Sequence, residues 1–212
     1  MTSHPSPAFV EDLSRRLRQA TFDAVLGAAA VADDSEALTV PRAAEPLGPA
    51  RLAQAQPVGP ARAEAEALYR RCLQHYREAV RPRDAAGGFD DAGAAAAHFV
   101  AANLMALDGE RPTAATLLQL ERQLRRVMLA SLARDGSPAT DRQAYVEKLA
   151  LLAVLVGESA AQAPAQGPAA VANVQRAARG YLQQFLGLNP DVLTLGPKGL
   201  MLRDPAPPGG TA

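Results

Sequence analysis

The side chains that could do chemistry in this chain are scattered. His98 sits inside a long apolar stretch, Asp91 stands just ahead of that stretch, and Glu147 borders a second apolar run. A buried imidazole beside a carboxylate can take or give a proton. His98 with Glu147 or Asp91 is therefore the candidate catalytic set, as an acid/base site of a small hydrolase-like enzyme. Arg122, Arg125 and Arg126 form a cationic cluster. Guanidinium groups grouped in this way suit a phosphate or an acidic partner, or simply Glu121 beside them. Asn103 lies mid-helix, where propensity disfavours it, so it requires either an interhelix hydrogen bond or a ligand contact.

Other chemistries lack their parts. No second histidine stands three or four residues from His98, and neither Glu-x-x-His nor His-Glu-x-x-His occurs. A helical metal centre is then short of ligands, so neither metal nor cofactor is expected. Cys72 is the one cysteine, which excludes an internal disulfide. It falls in an apolar stripe and reads as a small hydrophobe. Gly157-Glu158-Ser159 is not a nucleophile elbow, and the glycine pairs lack the strand and Lys-Ser/Thr of a phosphate loop. Lys+Arg 22 balance Asp+Glu 22 and aromatics are 4% with no Trp. That composition argues against a nucleic-acid partner.

The elements that must position these residues are helical. Phe89 to Leu107 is apolar or small on every side, the pattern of a helix buried all round. Asp90 or Asp91 is its natural N-cap. Before it, residues 61 to 81 carry Ala65, Leu68, Tyr69, Cys72, Tyr76 and Val80 as one stripe. Arg62, Glu66, Arg70 and Arg77 fall on the other side. After it, Thr113 caps a helix with Leu117, Leu120, Leu124, Val127 and Met128 inward. Ser137-Pro138 opens the next, with Tyr145, Leu149, Leu152 and Val156 on one line. Its apolar run is far shorter than the ~20 residues of a membrane span. Gly157 to Pro168 reads as a loop. Pro168 starts a last helix with Val171, Val174, Ala178, Tyr181 and Phe185 in its seam, and Gly187 is placed as a left-handed C-cap. Residues 192–195 and 200–202 read as two short strands around a Gly-Pro-Lys-Gly turn.

The expected fold is all-α: an antiparallel bundle of about four to five helices over residues 61–203, with a short C-terminal β-hairpin-like cap. Residues 204–212 read as a disordered tail. Residues 33–60, rich in proline and alanine, read as a flexible linker. Residues 1–32 hold a detached amphipathic helix. The same stretch also offers a signal-like reading, with Arg15, Arg16 and Arg18 ahead of an apolar run that ends in Ala30-Val31-Ala32. Cytoplasmic and periplasmic or secreted locations both stay open.

Several of these pieces together resemble an uncharacterised, mostly proteobacterial family of helical domains. They are Leu68-Tyr69 to Tyr76, Asp90-Asp91 with the alanine run into Phe99 to Asn103, Tyr145 with Glu147, Tyr181-Leu182 to Phe185-Leu186-Gly187, and Gly199-Leu200. The resemblance covers about residues 61 to 203. It implies the fold and favours export, and it supplies no active site. The resulting expectation is a non-catalytic helical accessory or protein-interaction module, using the N-terminal helix or a bundle groove. The small enzyme around His98 and Glu147 is the alternative.

Overall fold

The computed structural model describes residues 45–81, 91–132 and 138–203. The amphipathic segment 7–31, the signal-like run, linker residues 33–44 and the tail 204–212 lie outside these. The described elements are α1 (Gly48–Ala53), α2 (Pro60–His75) with a π turn (Tyr76–Val80), α3 (Ala92–Asp108), α4 (Ala114–Leu132), α5 (Ala139–Gln166) and α6 (Pro168–Leu186). A 3-10 turn (Pro190–Val192) then leads into β1 (Leu193–Gly196) and β2 (Gly199–Leu202).

The middle of the molecule is α3, packed against α4, α5 and α6. Ala92 and Ala94 to Ala97 are fully buried, with Phe99, Val100 and Leu104 beside them. Small side chains bring the neighbouring helices close. A methyl group on Gly93 would lie 2.6 Å from Arg125 Cβ, so only glycine fits where α3 crosses α4. Asp91 caps the helix, its Oδ1 accepting from Gly93 and Ala94 N–H. At the far end Gly109 takes the left-handed conformation at φ 75° and donates to Met105.

Other local signals also match. Thr113 Oγ1 accepts from Thr116 N–H at the start of α4, and Leu120, Leu124, Val127 and Met128 are buried. Gly187 ends α6 at φ 67°, donating to Gln183. The strands pair antiparallel with Leu195 opposite Leu200 and Gly196 opposite Gly199.

The hairpin is held to the bundle by a side chain. Gln123 Nε2 donates to Leu200 O at 3.1 Å, and Leu200 N donates to Gln123 Oε1 at 2.9 Å. The amide thus replaces a third strand at that residue. Gly199 rests on α4, where a side chain would meet Gln123 Oε1 and Leu120 N.

Three expectations are corrected. Residues 157–168 are not a loop, because α5 runs through Gly157 and Pro164 to Gln166. Its last turns pack against α6 and bury Ala163, and that packing offsets the roughly 1 kcal/mol propensity cost of a glycine. Pro164 costs little so near the end, where Gly167 stops the helix. The linker does not extend to residue 60, since Gly48–Ala53 is a helix seated on α2 and α5. With it, six helices are described. The stripe on α2 also shifts. Leu68 is exposed while Cys72, Leu73 and Tyr76 are buried.

Gln123→Leu leaves the Leu200 N–H and C=O buried without partners, so stability should fall by about 2 kcal/mol. Hydrogen exchange should quicken in β1 and β2 while α3 stays protected. Unchanged exchange in the strands would show that apolar packing alone holds the hairpin.

Candidate functional site

The polar groups of the interior gather at the π turn. A π turn bonds i to i+5, here Arg81 N–H to Tyr76 O at 2.7 Å. The extra residue carries Arg81 off the 3.6-residue period and turns it inward. Arg77 lies four residues from buried Leu73 and is inside, not on the outer face to which the stripe of Leu68 and Tyr69 assigned it.

Arg81 grips Glu121 with a fork, Nη1 to Oε2 and Nη2 to Oε1, each 2.8 Å. Arg125 Nη2 donates to Asp91 Oδ2 at 2.7 Å and also to Glu121 Oε1. Asp91 is fully buried and Glu121 nearly so. Two guanidiniums thus neutralise two carboxylates at the N-terminal pole of α3, where the helix dipole adds to the field on Asp91. Arg125 therefore points into the protein. Arg122 and Arg126 are half-buried on the same helix and join no ion pair among the described residues.

A second cluster forms at Glu147. Its Oε2 accepts from Leu47 N–H and Gly48 N–H, each at 2.7 Å. Its Oε1 accepts from Arg77 Nη2 and Gln143 Nε2, each at 3.0 Å. A carboxylate on α5 therefore caps the start of α1, nearly a hundred residues away in the chain. Arg51 pairs with Asp141 at 2.7 Å beside it.

His98 joins neither cluster by a hydrogen bond among the described residues. Its ring meets Tyr76 edge-on at 5.5 Å between centroids. Burial, and then the charge of Arg81, push its pKa down to about 4. It is a neutral imidazole at physiological pH. Tyr76 is fully buried, its hydroxyl has no hydrogen-bond partner among the described residues, and burial drives its pKa upward. Asn103 Nδ2 donates to Phe99 O at 2.7 Å, one turn back on its own helix, and its Oδ1 has no partner among the described residues. It makes no interhelix bond among the described residues. The structure thus ties Asp91 to Arg125 and Glu147 to Arg77, and it links His98 to neither carboxylate.

A separate cleft of about 240 Å³ opens between the hairpin and the α3–α4 connection. Asp108, Glu110, Arg111, Thr113, Thr116 and Thr194 line it, and His98, Glu147, Asp91 and Asn103 do not. No group of three or more His, Cys, Asp or Glu among the described residues is arranged to hold a metal ion. No described helix is long and apolar enough to cross a membrane.

Sequence reasoning missed Arg77, Arg81, Gln123 and Gln143. The stripe of Leu68 and Tyr69 puts Arg77 outside, and nothing local marks the π turn. The one available signal was Glu121 close to three arginines.

The model of a family of unknown function, DUF6683, matches residues 14–203, and the chain belongs to that family. The match starts well before the residue-61 limit of the motifs. No curated protein and no solved structure matches the chain.

The lowered pKa of His98 has a stability consequence with a definite sign. The unfolded imidazole takes a proton near pH 6.5 and the folded one only near 4. The unfolded state then binds more protons in between, and stability is lost as pH falls through that window. The His98 share should reach about 2 kcal/mol at pH 5. Melting curves of His98→Phe should accordingly decline less than the parent between pH 7 and 4.5. Parallel declines would show that His98 is protonated in the folded chain.

Proposed function

We propose that this member of a family of unknown function is a non-catalytic helical accessory module that works by binding protein. One observation carries the reading. Both oxygens of Asp91, Glu121 and Glu147 already accept from arginines, a glutamine or backbone N–H groups. A general base needs a lone pair directed at substrate and a pKa near the working pH. These carboxylates direct theirs at the protein's own helix ends and arginines. The neutral, aromatic-packed His98 supplies weak basicity and no partner for a relay. The polar interior serves to position helices, and the surface is left for binding.

The enzyme reading, with His98 and Glu147 or Asp91 as acid and base, requires these groups to converge on one bound molecule. Its support is their burial alone.

The two readings differ in stability. Groups kept for catalysis are commonly held at the expense of stability, so replacing them raises the melt. Breaking a buried ion pair instead destabilises by about 3–5 kcal/mol. Asp91→Asn, Glu121→Gln and Glu147→Gln should each lower the melting temperature, by roughly 2–4 °C per kcal/mol in a domain of this size. A rise in any of them would mark that carboxylate as functional and remove the basis of this reading.

A further inference from the structure

Six residues make a helix too short to persist in water by itself. Helix α1 is therefore held by what receives it, and the receiving surface has the character of a peptide site. It is the groove where α1 lies against α2 and α5. Glu147 takes the paired N–H groups of Leu47 and Gly48 at 2.7 Å, and is itself 4% exposed. Asp141 takes Arg51, and Gln143 Nε2 reaches Glu45 O at 3.4 Å. Position 48 is read sterically, since a methyl group there would lie 2.7 Å from Glu147 Cβ. Ala53 is fully buried at the other end. Two N–H groups, a residue without side chain, a guanidinium and a methyl group are thus each matched to the groove.

The connection back to α2 is slight. Residues 55–60 are exposed, Val58 at 85%, and Arg62 ties the turn by donating to Gln56 O. Segments with few buried apolar contacts open at free energies below that of global unfolding. None of the recognition contacts depends on which chain supplies residues 45–53.

We propose that the α2–α5 groove is a peptide-binding site, filled by this chain's own Glu45–Ala53 and open to the same segment of a second copy. Two copies then exchange straps, each Glu147 capping the partner's α1, as domain-swapped dimers do. The inference rests on the reading of the chain as a protein-binding module and names its partner.

The test uses the full chain in two forms. Deleting residues 55–58 shortens the connection so that α1 no longer folds back easily, and light scattering should then report a dimer. Adding Gly48→Val to the deletion should return it to monomer. The second form is Gly48→Val alone, which empties the groove. It should bind a synthetic peptide of residues 45–56 at least tenfold more tightly than the parent chain, whose groove is full. Glu147→Gln added to Gly48→Val should weaken that binding about tenfold, with circular dichroism confirming that each variant is helical. A monomeric deletion chain overturns the exchange even where the peptide binds, and the groove then belongs to a different protein's segment. A helical Gly48→Val chain that ignores the peptide, or a parent that binds it as well, overturns the site itself. Neither result bears on the amide-variant melts, so failure of the exchange and failure of the broader reading are separable.

Discussion

A carboxylate removed from water costs several kcal/mol unless a guanidinium and further donors replace its hydration. This bundle buries Asp91, Glu121 and Glu147, and its helix arrangement is the one that supplies those donors. The π turn is the pivot. It sends Arg77 toward α5 and Arg81 toward α4, while Tyr76 between them packs on His98 of α3. One short irregular turn thereby ties α2 to three other helices, α3, α4 and α5. The buried pairs add little net stability over an apolar core, but each strongly penalises an arrangement that leaves one member alone.

That penalty matters more here because the core is rich in alanine. Alanine faces bring backbones close, as Gly93 and Arg125 show, but methyl groups offer few shapes that distinguish one register from its neighbour. Leucine and phenylalanine supply burial around the rim of α3, where Phe99 packs on Phe185 and Tyr181. Polar pairs fix what the alanines leave undetermined. Asp91 aligns the start of α3 with Arg125, Gln123 aligns the hairpin with α4, and Glu147 aligns α1 with α5. Each joins a side chain to a main-chain or charged group on another element, and each tolerates one register.

The same arrangement bears on function. Of the residues that looked chemical in isolation, Asp91, Glu147 and Arg125 bond to other elements. Of the cationic cluster, Arg125 is spent inside, while Arg122 and Arg126 remain at the surface. Asn103 returns to its own helix. The groove beneath α1 is where charge, steric selection and a short helix coincide.

The element ends were legible because their causes are local. Asp91 and Thr113 cap their helices through N–H groups two or three residues away, and Gly187 takes a conformation that disfavours a side chain. The hairpin follows from two apolar runs around Gly-Pro-Lys-Gly. Burial of α3 followed from an apolar pattern on every side. What the sequence by itself determined, then, is five of the six described helices, most of their ends and the central one. Tertiary structure decided the rest. It carried α5 through Gly157 and Pro164 because α6 lies against it, and it made a helix of Gly48–Ala53 because Glu147 receives its N–H groups. It also turned Arg81 inward through a π turn that no local pattern specifies. The physical reason is common to all three: the stabilising partner lies outside the turn concerned, on a neighbouring helix.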